Sequence, residues 1–205
     1  MERQLTPQPL HTRQRLLGDD GAALVEAAFV TPVLVFFLLG ILEYGLQFLR
    51  YQSLRNVTVV ATRTASVMGR SATADYSVLQ RFKQSLGGLD SANINYIMVW
   101  KPSGPTVDIK TDAAACAGGA ATPGRCNRYT VADFNRPDTD FNGTSGAPDA
   151  KWPGKNRNDA NTWPNGSDFI SVYVSYNYKY ISGLFGTQKT LTDYTIYRIE
   201  PRTIS

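Results

Sequence analysis

Histidine is nearly absent from this sequence: His11 is the only one. Glutamate is scarce too, and from residue 22 onward only Glu26, Glu43 and Glu200 occur. A nucleophile–base–orienter arrangement therefore lacks its usual base, and no spacing of aspartates points to a paired-carboxylate site. The expectation is that the protein is not an enzyme and carries no organic cofactor. With one histidine and two cysteines, the donors a zinc centre needs are also missing. The net charge of +4 is dispersed through the chain without a Lys/Arg run, so nucleic acid is not an indicated partner.

Charge is missing from one stretch in particular. From Ala27 to Leu42 only Thr31, Pro32 and Gly40 interrupt an apolar run. Ala22 to Leu49 is 28 residues, about 40 Å of helix at about 1.5 Å per residue. A bilayer core of about 30 Å needs about 20 such residues, so the segment is long enough to span with some tilt. Glu26 stands at its mouth, and a carboxylate in hydrocarbon is expensive enough to mark a functional site. A secretory signal peptide is the main rival, but the apolar core is long for one and no A-x-A cleavage site follows it. Arginines flank the run on both sides, at Arg3, Arg13 and Arg15 and at Arg50, Arg55 and Arg63, so charge bias leaves the orientation open. Pro32 inside the run reads either as a simple kink or as a point of local melting.

The letters Gly21-Ala22-Ala23-Leu24-Val25-Glu26, followed at once by the apolar helix, resemble the processing site of type IV prepilins. The longer stretch ALVEAAFVTPVLVFFLLGILEYG is similar to the TadE-like pseudopilins of the tight-adherence (Flp-type) pilus. Their signature is close to A-x-V-E-F-A-hydrophobic-x-x-P with a later E-[FY]-G, here Glu43-Tyr44-Gly45; Ala27 departs from it where an aromatic is usual. The resemblance implies cleavage between Gly21 and Ala22 by a membrane prepilin peptidase, with Glu26 becoming the fifth residue of the mature chain. It implies assembly roles for Glu26 and Glu43. It also implies a cytoplasmic start, a single-pass anchor in the bilayer and an extracytoplasmic head. The expected partners are other pilin-like subunits and the pilus assembly platform. The alternative is a single-pass surface binding or adhesion protein.

The resulting organisation is a leader at 1–21, a transmembrane helix at 22–49, an amphipathic stem helix at 50–70 and an α+β head at 71–205. In the stem, Leu46, Leu49, Leu54, Val57, Ala61, Thr64 and Met68 recur at threes and fours with one slip, while Arg55, Asn56, Ser66 and Arg70 fall largely elsewhere. The β-branched residues Val57, Thr58, Val59, Val60, Thr62 and Thr64 argue against a helix there. Asp75–Leu86 reads as a short helix stopped by Gly87-Gly88. Asn93–Trp100 and Thr106–Lys110 read as a hairpin across Pro102–Pro105. Asp168–Ile181 alternates Ile170, Val172, Val174, Tyr176, Tyr178 and Tyr180 with Ser171, Tyr173, Ser175, Asn177 and Lys179. Leu191–Glu200 is its partner across Ser182–Gly186. The tyrosines of this pair are ordinary material for a half-exposed antiparallel sheet; a ligand-stacking face is the sharper alternative. The fold class expected is thus a stem helix packed on a small antiparallel sheet, in the manner of a pilin.

Residues 111–167, rich in Gly, Ala, Pro, Asn and Asp, read as a long loop. Cys116 and Cys126, ten residues apart in a segment expected outside the cytoplasm, pair as a disulfide. Closing that loop contributes about 2–3 kcal/mol in the chain-entropy picture; with the topology reversed they would be free thiols. Within the loop, Asp138, Asp140, Asn142, Thr144 and Asp149 place oxygens at loop positions one, three, five, seven and twelve, with Gly143 at six, a pattern that suits calcium. Against it stand Asp in place of Glu at position twelve, Ser145 at position eight, and Pro137 and Pro148 where flanking helices would be. Asx-turns in a solvated loop explain the same letters.

Overall fold

The computed structural model describes residues 19–106, 116, 125–160 and 166–201. The chain divides into two compact units, Met1–Tyr44 and Gly45–Ser205. One helix, α1 (Asp19–Met68), begins in the first and ends in the second. In the second unit it is followed by α2 (Ala74–Gln84) and by strands β1 (Ile94–Trp100), β2 (Cys126–Tyr129), β3 (Phe169–Lys179) and β4 (Gln188–Arg198). The strands form one antiparallel sheet in the order β2-β1-β3-β4. This is the α+β arrangement that the residue pattern predicts.

The stem part of α1 buries Leu54, Val57, Ala61 and Ala65, spaced at threes and fours as a helix face requires. Two details differ from the sequence reading. Leu49 is exposed, and Ser66 is buried because its hydroxyl donates to the Arg198 carbonyl at 2.6 Å and its own carbonyl accepts from the Glu200 amide at 3.1 Å. The β-branched run is accommodated because its threonines bond back along the helix. Thr58 and Thr62 donate to the carbonyls of Leu54 and Thr58 at 2.8 and 2.7 Å, which satisfies buried hydroxyls that would otherwise carry a desolvation penalty. Gly69, at φ +47°, ends the helix with its amide donating to the Ala65 carbonyl at 3.1 Å, a left-handed stop that glycine enters without strain.

One face of the sheet packs on α1 and α2. Ile170, Val172, Val174, Tyr176 and Tyr178 of β3 join Leu54, Val57, Ala61, Val78, Leu79 and Phe82 in the main core. The opposite face is not the half-exposed surface that alternation predicts. Ser171, Tyr173 and Ser175 are also buried, and Tyr173 joins Met98, Trp100, Cys116 and Cys126 in a second cluster. The expected hairpin after β1 is replaced as well: along Ile97–Trp100, β1 lies between β2 and β3. Residues 107–110 of that expected hairpin lie outside the described residues. The 111–167 stretch contributes β2 and three short 3₁₀ turns, Val131–Asn135, Asp138–Asp140 and Gly154–Asn156, rather than a featureless loop.

What fixes those turns is a buried polar cluster. Asp75, in the first turn of α2, pairs with Arg157, and both are almost fully buried. The Tyr129 hydroxyl donates to the same carboxylate. Asn127 donates to it at 2.7 Å and to the Trp152 carbonyl at 2.8 Å, and accepts from the Trp152 amide at 2.8 Å. The guanidinium lies over the Trp152 ring, 4.4 Å from its centroid, where the π face stands in for hydrogen-bond partners that its Nε and Nη1 lack. Burial, then the Asp75 charge, pushes the Tyr129 phenol well above its ordinary range, so it stays protonated and donates. Removing one partner of such a pair strands the other in the core. Arg157→Ala is therefore expected to lower stability by about 3–5 kcal/mol, read as a large drop in the urea midpoint.

Asp193, in β4, is pushed above the carboxylate value of 3.8 by burial, against the opposing influence of Arg55, Thr58 and Tyr51. Burial shifts Asp149 in the same direction. A carboxyl with a raised folded pKa binds more protons folded than unfolded, so its contribution falls as pH rises from the unfolded value through the folded one. Asp193→Asn is expected to flatten that fall and to raise stability at neutral pH, measured by urea midpoints across a pH series.

Candidate processing and assembly segment

Ala, Leu, Val and Glu at the start of α1 are compatible with helix, and the helix runs through Gly21 and across Pro32 without interruption. Gly21, Ala22 and Glu26 are all exposed. Nothing lies within 4 Å of the position a Gly21 Cβ would take. Ala22 and Glu26 are four residues apart and so share one face of the helix. Glu43 is instead fully buried. It lies 17 residues beyond Glu26, about 25 Å along the axis, so the two acids are separate features of one rod.

From Leu24 to Leu42 the large apolar side chains are exposed. Leu24, Phe29 and Ile41 are 72, 76 and 71 % exposed, and Val33 through Leu39 are exposed as well. A contiguous apolar surface of this extent marks a membrane or partner contact. The helix is the one element, among the described residues, long and apolar enough to cross a membrane. Backbone satisfaction within a single helix is what makes such a crossing viable.

Cys116 and Cys126 are disulfide-bonded, their Cα atoms 6.2 Å apart, and both are buried in the cluster on the outer face of the sheet. Four of the five oxygen-bearing residues of the 138–149 segment, all but Asp138, engage neighbours within the protein. Asn142 accepts from the Thr144 amide at 3.0 Å and from its hydroxyl at 2.6 Å, an Asx-turn. Asp149 accepts from the Gly143 amide at 3.0 Å. Asp140 faces Arg136 at 3.4 Å, and Asp138 is exposed. Among the described residues, no three His, Cys, Asp or Glu side chains gather as a metal-holding group. The buried Asp75–Arg157 cluster is the feature that sequence reasoning missed. Asp75 signalled only a helix start, and nothing ties it to a residue 82 positions away.

The apolar rod with an acid at its mouth decides which relatives to expect. Residues 21–63 match the family model of TadE-like proteins. The segment is TadE-like. Its match covers the anchor and most of the stem, and stops before α2. Comparison with curated proteins and with solved structures gives no match. The rest of the chain, including α2 and the whole sheet, lies outside the TadE-like match.

Calcium at the 138–149 turn would have to replace the bonds just described. Millimolar calcium is accordingly expected to leave the melting midpoint of the detergent-solubilised chain unchanged. A rise in that midpoint would instead make the turn a calcium site.

Proposed function

We propose that the protein is a minor pilin-like subunit, cut between Gly21 and Ala22 by a prepilin peptidase and then assembled with other pilin-like subunits. The observation that carries this reading is the TadE-like match beginning at Gly21, with the acid five residues on and an apolar helix behind it. Cleavage would create an amine at Ala22 whose reference pKa is about 8, mostly protonated at neutral pH. Glu26 would then pair with the amine of a neighbouring subunit. Such a pair offsets the penalty of an unpartnered carboxylate in apolar surroundings and fixes the axial register of packed helices. The exposed apolar face of α1 would hold the subunit in the bilayer before assembly and supply the helix contact afterwards. The leader would stay on the cytoplasmic side, with the disulfide-bearing head outside, where oxidation is favoured. Glu43 would act as a second acidic group in the same helix packing.

Amino-terminal sequencing of the membrane-extracted protein tests the first step. A start at Ala22 is expected; a start at Met1, or downstream of Leu42, would support a tethered surface binding protein instead. Gly21→Arg is expected to block cleavage. Glu26→Ala is expected to be cleaved normally but to assemble poorly, and normal pilus-dependent output from it would remove Glu26 from the mechanism.

A further inference from the structure

We propose that the tip of the β3–β4 hairpin, residues 181–186, is a second membrane contact that seats the head on an anionic lipid surface. This rests on the reading of α1 as a membrane span. Composition is the first ground. A hairpin tip in water is ordinarily built from Gly, Asn, Asp and Ser, whereas this one reads Ile-Ser-Gly-Leu-Phe-Gly, with Ile181 72 % and Leu184 46 % exposed. Gly183 and Gly186, at φ +71° and +107°, supply the turn geometry, so the apolar residues are not needed to form it.

Position is the second ground. The Tyr180 hydroxyl donates to Gln47 Oε1 at 3.3 Å, and Leu46, Arg50, Tyr178, Lys179 and Ile181 line one cleft of about 180 Å³. The tip therefore lies beside the stretch of α1 where its apolar run gives way to Arg50. That is the level of a lipid headgroup for any span ending near Leu49. Tyr180 packs between Tyr178 and Phe185, with ring centroids at 5.4 and 6.3 Å, and amphipathic aromatic rings favour that level.

Charge is the third. Lys179 and Lys189, at the shoulders of the hairpin, are both exposed, and Arg50 lines the cleft beside them. The one acid lining the cleft is Asp90, whose carboxylate accepts from the Ala92 amide at 2.9 Å and the Asn93 side chain at 3.3 Å. Basic residues around an apolar tip are the combination that holds to anionic lipid.

The described cysteines are paired, so a single introduced thiol can carry a nitrobenzoxadiazole probe on the full chain. The chain is placed in nanodiscs of phosphatidylethanolamine and phosphatidylglycerol, and quenching by shallow doxyl-labelled lipid is read. A probe at Leu184→Cys is expected to emit to the blue and to lose most of its fluorescence, whereas one at Ser145→Cys on the far loop keeps it. Equal behaviour at the two positions would overturn the proposal. A probe at Leu38→Cys reports the span itself. Quenching by deep doxyl lipid at 38 without shallow quenching at 184 defeats this inference alone, and no quenching at 38 defeats the span. A probe at Ser182→Cys, in a chain also carrying Ile181→Asp and Leu184→Asp, should lose the quenching. If it does not, the dye and not the hairpin enters the lipid, and the proposal fails. Exchanging phosphatidylglycerol for phosphatidylcholine should weaken quenching at 184 and leave 38 unchanged; no change at 184 would overturn the anionic preference.

Discussion

Burying a charge pair inside a small head is tolerated only if every piece of chain around it stays in place, and the pairing of Asp75 with Arg157 imposes that condition here. The carboxylate, carried by α2, is met from β2 through Asn127 and Tyr129 and, through Arg157, from the segment that also carries Trp152. Little regular structure is available between residues 130 and 160, so backbone ladders cannot hold that segment. The ion pair and its amide partners do so instead. A buried pair contributes little net stability compared with well-packed apolar residues. Its consequence is that alternative arrangements leave a charge stranded. Gly154 shows how close the approach is: a Cβ there would sit 2.1 Å from the Ser71 carbonyl oxygen, so a side chain would push the segment off α2.

At β1 and β3 the sheet is covered on both faces, each by a different means. Toward the stem, Leu54, Val57, Ala61 and Ala65 meet the even-numbered residues of β3, and the small alanines let helix and strand come close. On the other side the disulfide brings Cys116 onto Met98, Trp100 and Tyr173. Tyr96 stacks on Tyr173 at 6.1 Å with Arg128 5.0 Å above its ring. The tyrosines foreseen as a half-open ladder thus serve largely as packing material. Burial of aromatic area of this kind is where a head of this size finds much of its stability.

The TadE-like match ends at residue 63, within the part of α1 that packs on the sheet. The likeness to TadE-like proteins therefore lies in the apolar run and most of the stem. The head, with its polar cluster and disulfide, is built on the end of that stem. One helix serves both requirements: its outward apolar residues suit lipid or a neighbouring helix, and further along, one narrower face suits a core. The change from all-round apolar to one-sided is the physical mark of the passage from one surrounding to the other.

Period and composition were enough to reveal the apolar rod, the acid at Glu26, the short helix after Gly69, and the long pair β3 and β4. Each is declared by neighbours within a few residues, whether as an uncharged run, a repeat of three and four, or strict alternation. The disulfide could be foreseen once export was assumed, since only two cysteines exist to pair. Tertiary structure decided the rest. That β1 lies beside β2 and β3, that Ser66 is buried by Arg198 and Glu200, and that the outer face of β3 is covered all depend on residues dozens of positions apart. The Asp75–Arg157 pair is the extreme case: a charge in a Gly/Pro-rich segment reads as solvated until the fold removes water from around it. Local sequence carries the preference of each residue for helix, strand or lipid, but which buried charge finds which partner is settled only when distant segments meet.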